Sequence, residues 1–584
     1  MKNIFKTFMM LTAVLALSGC LNSIDDTGFT PETPQISFSE ESLNIGQAGG
    51  ELTVALRSNL PWRIKSDSPW LAISKDHGPE GETLTITVQK NRTREERKAL
   101  LTAWVTEEYT ARLEVLQDPA SASESFTYYV KADGDGLAEG FTWETATTLP
   151  TAIERAADGD KICVAAGTYS PITLITGGEG EKERTYEIHS NFTIEGGYPA
   201  DAATGAVADP VANETIFDGL GNVYHVVTVS AVKSNQPVVL KNLTITGGRT
   251  HTATETIKRS AGASLFDAAY GGGINIGNSN VQMVNCTIKS NAACHAAGCF
   301  IAPGAVVSIE KCVFESNSAD NNGGGVWNSG GNVTMTDCTI AKNTSGQQAA
   351  GYYSIDAAGA LSISRIYNSA FYDNDCTLKA EKRSGGAVYI RANSDAVFVN
   401  CSFTGNKAGW GGVISGHGTT ALPSKTTFIS CTMTGNHATH GGGALFAYNA
   451  GAHIEAYNCI VSGNTSAGYA TEAGTLEGVD ASCVKVAQSI LASSLVDAAG
   501  AQTGSWSFSP ESMLGAFGLY ENGFTMCFPL NVSADNPAVD QGMTNEALQE
   551  LAAGFTPAVD GAKVTSDQNG TARTKKSIGS YTTK

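Results

Sequence analysis

The chain of 584 residues is long enough for roughly two to four domains, and its composition, 42% hydrophobic with 64 Gly and 17 Pro, is typical of a folded protein. Its 13 Cys are too few for a disulfide scaffold of this length. The formal net charge of −19 makes nucleic acid and anionic membrane surfaces poor partners, so we expect no nucleic-acid partner.

Residues 1–19 have the pattern of a signal peptide. Lys2 and Lys6 precede an apolar run from Phe8 to Leu17. The run is too short to span a bilayer, and small residues follow it, as in an exported precursor. We therefore expect this segment to direct export and to be removed.

The signal segment ends in the sequence LSGC, Leu17 to Cys20, which resembles the lipobox of bacterial lipoproteins. The resemblance implies cleavage before Cys20 and acylation of Cys20, so lipid would be the only attachment to a membrane. Asp25 and Asp26 resemble the acidic signals that send some lipoproteins to the outer cell surface. We expect an outer-membrane lipoprotein that faces the exterior; an ordinary signal peptide that ends near a Cys is the alternative.

A polar, Pro-bearing linker at residues 20–34 leads to residues 35–119, where short alternating runs are separated by Gly, Pro and Asn. This spacing predicts a small antiparallel β-sandwich. Trp62 and Trp70 could stack on sugar rings, but positions in the core are the favoured interpretation for both. Three stretches resemble a BACON domain, an Ig-like module of bacterial surface proteins that handle glycans: Leu60 to Ser74, Gly81 to Asn91 and Leu113 to Asp118. The module is expected to serve mainly as a stalk.

The next segment, Tyr128 to Ser170, predicts the start of a second domain. A strand leads to a turn rich in Gly and Asp, and apolar residues then recur at helical spacing from Trp143 to Ala157. This pattern predicts a capping helix. The run KICVAAGTY, which begins at Lys161, predicts the first strand after it.

Seven copies of a short phrase follow, each with a small lead residue and an Asn five positions later. The copies are separated by 26, 26, 31, 32, 30 and 28 residues, which identifies a structural repeat. The lead residues are Cys286, Cys312, Cys338, Ser369, Cys401, Cys431 and Cys459. The asparagines are Asn291, Asn317, Asn343, Asn374, Asn406, Asn436 and Asn464.

The repeat predicts one coil of a parallel β-helix. An apolar residue stands two positions after each lead residue, the period-two pattern of a short strand with one buried face. One such unit cannot close a core alone, but stacked units place equivalent residues about 4.8 Å apart. The lead residues then form a buried column and the asparagines a ladder of hydrogen-bonded amides. Recurring Gly pairs, such as Gly411 and Gly412, supply backbone conformations with positive φ before the next strand.

Several segments resemble the right-handed β-helix proteins of the pectin-lyase-like superfamily. They are the cap at Tyr128 to Ser170, the early coils at Phe192 to Pro199, Glu214 to Gly219 and Leu243 to Gly248, and the closing segment at Asp567 to Tyr581. The predicted fold class is all-β, with a right-handed parallel β-helix at 126–510, a C-terminal closing segment at 511–584 and the small sandwich before them. The resemblance covers about residues 128–584 and concerns the fold; it does not select an activity.

Two cysteines lie outside the column. Cys294 and Cys299 stand at the ends of the loop CHAAGC, with His295 beside the first. A local disulfide or a metal site remains open there, although no further ligands follow at the spacing of zinc sites, and we predict no metal site.

Enzymes of this superfamily cleave polysaccharides as lyases or hydrolases, which implies a base with a charge neutraliser, often Ca²⁺, or a pair of carboxylates. No known catalytic motif is present, and charged residues on outer faces are usually there for solubility. No cofactor is predicted, and calcium is expected only if the chain is a lyase. The catalytic candidates are Asp373, Asp375, Lys382, Arg383, Arg391 and Asp395.

A binding surface has a clearer pattern. Four positions after the ladder asparagines stand polar and aromatic residues, which would form a stripe suited to sugar hydroxyls and ring faces. Leu378 and Gly468 interrupt this stripe, and ordinary loop variation is the alternative. The candidate glycan-binding residues are His295, Asn321, Gln347, Trp410 and His440.

Three functions remain open from the sequence. The leading hypothesis is a cell-surface lipoprotein that binds or captures extracellular polysaccharide. A polysaccharide lyase or glycoside hydrolase is the second, and an adhesin-like structural protein is the third. A stripe of aromatic residues would favour binding, and acidic and basic groups that meet in a cleft would favour cleavage.

Overall fold

The computed structural model describes residues 32–250, 257–262, 264–357, 359–377, 384–468, 472–491, 502–503, 510–521, 523–531, 533 and 535–581. The predicted signal peptide, Cys20, Lys382 and Arg383 lie outside these residues. The chain divides into two compact units, Met1–Ala122 and Ser123–Lys584. No helix in the described part is long and apolar enough to cross a membrane.

The first unit is a β-sandwich. One sheet is antiparallel, with the strands in the order Ile36–Phe38, Gly50–Ser58, Glu82–Val88 and Leu71–Ile73. The other has the order Ser42–Ile45, Thr110–Gln117, Arg97–Trp104, Trp62–Ser66 and His77–Gly78, and only its first pair is parallel. Alternate residues of both sheets point into a shared apolar core.

Both tryptophans of interest in the sandwich are core residues. Trp62 is 2% exposed and its indole N–H donates to the Glu80 carbonyl at 2.7 Å. Trp70 is 9% exposed, and the Arg97 guanidinium covers its ring at 4.3 Å. Their burial confirms the core interpretation, because neither ring is available as an open platform for a sugar.

The second unit is a parallel β-helix with three long sheets, which confirms the predicted fold class. Sheet I has twelve strands: Thr127–Val130, Lys161–Ala165, Thr193–Tyr198, Val238–Lys241, Asn280–Val284, Val306–Glu310, Asn332–Thr336, Ser362–Tyr367, Ser394–Val399, Ser424–Ile429, Ala452–Tyr457 and Val484–Ala487. Sheet II also has twelve: Gly167–Tyr169, Thr215–Val223, Thr244–Gly248, Thr287–Lys289, Val313–Glu315, Thr339–Ala341, Ala370–Tyr372, Ser402–Thr404, Thr432–Met433, Ile460–Val461, Ile490–Leu491 and Gln502–Thr503. Sheet III has ten: Tyr186–Ile188, Val227–Val229, Ile274–Ile276, Cys299–Ile301, Val326–Ser329, Tyr352–Ile355, Val388–Arg391, Ile414–His417, Leu445–Ala447 and Ala473–Thr475.

Short strands complete the coils. Two groups lie between sheets II and III: Ala292–Ala293, Ser318–Ala319 and Thr344–Ser345, then Lys407–Trp410, His437–Gly441 and Thr465–Ser466. A hairpin of Lys258–Ala261 and Ser264–Asp267 projects from one coil. The remaining elements are helical: Leu149–Arg155, Glu181–Glu183, Ala481–Cys483, Pro510–Met513, Asn545–Ala553 and Gly561–Val564.

The capping helix is shorter than predicted. It occupies Leu149–Arg155 only, whereas the sequence predicted Trp143 to Ala157. Thr148 is the N-cap, and Pro150 lies in the first turn of the helix, where the missing N–H costs nothing. The apolar residues before this point, Trp143 among them, are buried against the first coils without being helical.

Left-handed residues form the corners on either side of sheet II. Asn400 has a φ of 55° and Gly405 a φ of 66°, and equivalent positive values recur in the neighbouring coils. Gly411, before sheet III, has a φ of 67°, and a Cβ there would lie 2.0 Å from the Ile414 carbonyl oxygen. A side chain cannot fit at that distance, which explains this member of the recurring Gly pairs.

The seven ladder asparagines lie in one buried column. Each side-chain Nδ2 donates to the Oδ1 of the next coil's Asn at 2.8–3.1 Å. The same oxygen accepts the backbone N–H of the preceding Asn, as when Asn406 accepts from Asn374 at 3.1 Å. The first Asn291 accepts from the Gly248 N–H, and the last Asn464 donates to the Glu472 carboxylate at 2.7 Å. The ladder therefore has a defined partner at each end.

The lead residues form a second buried column. The backbone N–H of Cys401 donates to the Cys431 sulfur at 3.4 Å, and Cys431 repeats this contact with Cys459 at 3.3 Å. Ser369 accepts from the Cys338 N–H through its hydroxyl. Ser489, which the sequence analysis missed, extends the column by accepting from Cys459 at 2.9 Å.

The C-terminal segment covers part of the outer side of sheet I. The helix Asn545–Ala553 places Leu548 against Val397 and Val399, whose side chains are fully buried. Arg573 is also buried; its guanidinium donates to the Asn400 side-chain oxygen at 3.0 Å and to the Gly579 carbonyl at 2.7 Å. These contacts attach the segment to the coils and leave a cleft beside Phe555.

Candidate functional site

Sheet III carries a row of aromatic side chains on its outer side. Its inward positions, such as Val326, Tyr352 and Val388, are fully buried, so the alternate positions face outward. The strand register places the outward residues side by side in consecutive coils. We call this surface the aromatic face; its row is Phe300, Trp327, Tyr353, Tyr389, Ser415 and Phe446.

The rings of the row pack against each other. The centroids of Trp327 and Tyr353 are 4.2 Å apart, and those of Tyr353 and Tyr389 are 5.5 Å apart in a stacked arrangement. These three residues are 7%, 1% and 3% exposed, so they form a rigid floor and not an open platform. The accessible aromatic surface lies at the two ends of the row.

One end of the face includes His295. Its ring stacks on Tyr270 at 4.8 Å and meets Trp327 at 5.5 Å, perpendicular to the indole. Burial lowers the pKa of His295, so the imidazole is neutral at neutral pH. Tyr270, His295 and Phe300 are half-buried and offer ring edges to solvent.

The other end of the face includes Trp410. Its ring stacks on Phe446 at 4.7 Å and lies 5.0 Å from His440 and 6.3 Å from Tyr448. His417 packs on Tyr448 at 5.5 Å. Trp410, His440, His417 and Tyr448 are half-buried, and together they form the largest accessible group of rings on the face.

Asn321 and Gln347 occupy a polar position between these ends. The Gln347 amide donates to the Asn321 carbonyl oxygen at 2.9 Å, and the Asn321 amide donates to the Cys294 sulfur at 3.1 Å. This hydrogen bond already occupies one donor of Gln347 and the carbonyl oxygen of Asn321, so fewer of their polar groups are left for a ligand.

The predicted stripe is not a single row in the structure. Backbone bridges place His295 beside Tyr270 and Trp410 beside Ser384, so these two predicted residues lie at equivalent positions. In the two coils between them the bridge joins Asn322 to Gln348. Each of these is one residue beyond the predicted Asn321 and Gln347. Counting from the Asn ladder fails here because the loop between ladder and sheet III is one residue longer in those coils. The partner of Trp410 is likewise Gly441, next to His440, after a bulge. Leu378 lies outside the described residues.

Several polar atoms of the aromatic face are buried without a hydrogen-bond partner in the protein. They are the indole Nε1 of Trp327, the hydroxyl of Ser415, Nδ1 of His295, Nδ1 of His417 and the side-chain oxygen of Asn322. Buried polar groups are normally paired, and each unpaired one costs about 1–3 kcal/mol. Five unpaired polar atoms on one aromatic surface are typical of a place where ligand or water supplies the partners.

Most residues of this face carry no recognisable local signal in the sequence. Trp327, Tyr353, Tyr389 and Phe446 lie in strands, where aromatic residues are common, and no local motif separated them from core residues. The signal that could have found them is the recurrence of an aromatic residue two or three positions after the end of the Gly-rich turn.

The catalytic candidates do not form one cluster in the described part of the chain. Asp373 is at a corner after sheet II, and Asp375 accepts from Thr377 at a turn before sheet III. Arg391 ends a strand of sheet III, and Asp395 lies in sheet I, paired with Arg365 at 3.3 Å. Lys382 and Arg383 lie outside the described residues. The four described candidates are therefore distributed over different faces.

Cys294 and Cys299 are buried, and neither forms a disulfide, so no disulfide closes their loop. The Cys294 sulfur accepts a hydrogen bond from the Asn321 amide. Cys299 is the first residue of a strand in sheet III. Within the described ranges, no three His, Cys, Asp or Glu side chains are grouped so that they could hold a metal ion.

A cleft of about 660 Å³ lies beside the C-terminal segment on the outer side of sheet I. One edge of the cleft is formed by three residues at equivalent positions of consecutive strands, Asp395, Lys425 and His453. Glu455 lies two residues after His453 in the same strand. Phe555 and the neighbouring backbone form the opposite wall. The cleft therefore combines carboxylates with an ammonium group and an imidazole.

Comparisons with known proteins agree with the two-part architecture. A model of the right-handed β-helix region matches residues 229–340 and 272–480, and a model of the viral BACON domain matches residues 35–118. No curated protein matches the sequence.

Three solved structures are similar to the chain at low identity. The pectate lyase Pel9A is 14% identical with a TM-score of 0.44, over 72% of this chain and 92% of that one. A rhamnogalacturonan lyase is 14% identical with a TM-score of 0.41, over 62% and 87%. A Bacteroides ovatus GH5 xyloglucanase in complex with a XXXG heptasaccharide is 15% identical with a TM-score of 0.15; the match covers 33% of this chain and 39% of that one.

Proposed function

We propose that this chain, a BACON-like sandwich followed by a right-handed β-helix, binds extracellular polysaccharide on the aromatic face of sheet III. The observation that carries the proposal is the group of half-buried rings around Trp410, next to buried polar atoms that lack partners. Sugars offer both apolar ring faces and hydroxyls, so one ligand would satisfy both features.

Capture at the cell surface is the second part of the proposal. The lipobox-like sequence that ends at Cys20 supports anchorage by lipid in the outer membrane, and the acidic residues after it support exposure to the exterior. The BACON-like unit, whose two tryptophans are in its core, would then serve as a spacer. The binding surface belongs to the β-helix in this proposal.

Trp410 gives the direct test of the binding proposal. A glycan array first identifies a ligand for the purified protein. Trp410→Ala should then weaken binding of that ligand about tenfold in calorimetry, equivalent to about 1.4 kcal/mol, because it removes the largest accessible ring. Trp410→Phe should retain most of the affinity.

Trp104→Ala is the matched control, because Trp104 is a half-buried Trp of the sandwich unit. It should leave affinity unchanged. Loss of binding in Trp104→Ala with normal binding in Trp410→Ala would place the site in the sandwich and contradict the proposal. A large loss of thermal stability in Trp410→Ala alone would identify a packing role.

Cleavage of polysaccharide is the second candidate function, and the cleft beside Phe555 is the observation that favours it. Lys425 and His453 could take part in proton transfer, and Asp395 and Glu455 supply the carboxylates. The test is whether the protein releases reducing ends or unsaturated sugars from a uronate polymer. If it does, and both Lys425→Ala and His453→Ala lose this activity, cleavage replaces binding as the primary function.

A further inference from the structure

Arg391 is a charged side chain beside the uncharged row of the aromatic face. It ends the strand Val388–Arg391 and pairs in register with His417 of the next coil. Its guanidinium interacts with the hydroxyl of Tyr353, which is part of the aromatic row. The residue is exposed, so the face presents an oriented cation to solvent.

In the part of the chain that the structure describes, Arg391 has no acidic partner that neutralises it. Among the described residues it forms no ion pair, and Asp356 interacts with it only at longer range. Burial and the charge of Arg391 both lower the pKa of His417, so the imidazole is neutral at neutral pH. Ile355, at an outward position of the strand before, is an apolar side chain.

An unpaired guanidinium is well suited to bind an oxyanion. It is planar and always charged, and it presents five N–H donors that match the two oxygens of a carboxylate or sulfate. Here the guanidinium interacts with the Tyr353 hydroxyl, and the side chain is exposed, so a ligand in solvent can reach it. The aromatic floor beside it lowers the local polarity, which strengthens an ion pair formed there.

We propose that Arg391 makes the aromatic face selective for glycans that carry an anionic substituent, a carboxylate or a sulfate. This inference rests on the proposed function, because it assigns a ligand class to the same surface. Arg391 acts in it as a specificity-determining residue, and the rings around Trp410 supply affinity for the sugar itself.

The overall charge of −19 acts against an anionic ligand only at long range. At physiological ionic strength, interactions beyond about 8 Å are largely screened, whereas a direct pair with Arg391 is not. Binding of an anionic glycan should therefore be compared at physiological salt, since low salt would increase the repulsion from the rest of the chain.

The test uses two matched pairs of oligosaccharides with the full-length protein. One pair is an oligogalacturonate and its fully methyl-esterified form, and the other is a sulfated galactan oligomer and its desulfated form. In at least one pair, the wild-type protein should bind the charged member at least tenfold more tightly than the uncharged member. The pair that shows this preference tells whether the recognised substituent is a carboxylate or a sulfate. Arg391→Gln should remove the preference, and Arg391→Lys should retain part of it, because Lys offers charge without the planar fork.

Lys289→Gln, at a half-buried lysine of sheet II that pairs with Glu214, controls for general charge effects and should leave the preference unchanged. Equal binding of both members of each pair, or loss of the preference in Lys289→Gln but not in Arg391→Gln, would overturn the inference. If Trp410→Ala still weakens binding of a neutral member, the proposed function survives that result. Absence of binding to either charged oligomer also overturns the role of Arg391.

Discussion

At the scale of residues, the interior of the β-helix is held by two kinds of column. Asn side chains pair from coil to coil, and Cys or Ser side chains accept a backbone N–H from the preceding coil. The Asn ladder ends in a residue of a different kind, which stops the series of amide donors and acceptors. Glu472 does so for the Asn ladder by accepting from Asn464 and from the Gly463 N–H.

The substitution Asn406→Ala measures how much one pair of side-chain amides in the ladder contributes to stability. Asn406→Ala leaves the N–H and the amide of Asn374 without their acceptor, and the oxygen of Asn436 without one donor. We expect a loss of about 1–3 kcal/mol in the free energy of unfolding. Urea unfolding followed by circular dichroism measures it. Asn222→Ala, at an exposed Asn of the same unit, should change stability by less than about 0.5 kcal/mol; equal losses in both variants would contradict the ladder's importance.

Glu472 predicts a pH dependence of stability. Burial raises its pKa from 4.5 to about 7 in the folded state. Below about pH 4.5 the Glu472 carboxyl is protonated in both the folded and the unfolded state, and its contribution to stability is fully present. As the pH rises, the carboxyl ionises first in the unfolded state. The free energy of unfolding therefore falls until about pH 7. The full effect is about 3 kcal/mol.

Glu472→Gln should remove this loss, because the amide does not titrate and its oxygen still accepts from Asn464. Urea unfolding at pH 5 and pH 7.5 measures the difference for each protein. Glu477→Gln, at an exposed carboxyl nearby in sequence, should keep the wild-type slope. A wild-type slope in Glu472→Gln would show that the carboxyl does not titrate in this range.

At the scale of elements, the β-helix consists of strands that meet at left-handed corners, and a helical segment covers one of its sheets. The corners fix where each strand ends, so the five consecutive strands of sheet II from Thr287–Lys289 to Ser402–Thr404 have three residues each. The loops before sheet III vary in length, and this variation moves the aromatic residues relative to the Asn ladder. The site candidates therefore lie where the repeat is least regular.

Leu548 tests the attachment of the C-terminal helix. It is fully buried against Val397 and Val399, so Leu548→Ala should destabilise the β-helix unit by about 2–5 kcal/mol through lost burial and a cavity. Thermal unfolding and the rate of proteolysis within the segment are the measurements. Leu519→Ala is the control, since Leu519 is 63% exposed, and its melting temperature should match the wild type. An unchanged melting temperature in Leu548→Ala would mean that the helix is not part of the cooperative unit.

At the scale of the whole molecule, the proposal joins export, anchorage and binding in one chain. The sandwich and the β-helix are separate compact units, each with its own core. Binding is assigned to the second unit, and anchorage to a segment before the first. The two assignments are independent, so each can fail without the other.

Cys20 tests the anchorage. Cys20→Ser should leave the precursor unprocessed and unlabelled by radioactive palmitate in cells, because the serine hydroxyl cannot replace the thiol that accepts the lipid. Cys163→Ser, at a buried Cys of the second unit, is the control and should be labelled normally. Normal labelling of Cys20→Ser would contradict the lipoprotein assignment.

The sequence by itself determined the repeated interior of this protein. The same residue types recur in each coil, and parallel stacking in register brings each copy against the next, so Cys401 and Asn406 already indicated their surroundings. It also determined the sandwich, because alternating runs and turn residues are local signals. The capping helix was overestimated because apolar spacing before Pro150 suited a packed loop equally well.

Only the tertiary structure decided which residues form the aromatic face. Its members come from strands in six coils, and the loops before those strands differ in length, so no constant spacing connects Trp327 with Trp410 in the sequence. The same reason hid Ser489 and Glu472, whose roles depend on which coil is last in each column. A repeat determines its own interior because every copy meets an equivalent copy, whereas the outer surface depends on insertions and on the C-terminal segment that folds back over sheet I.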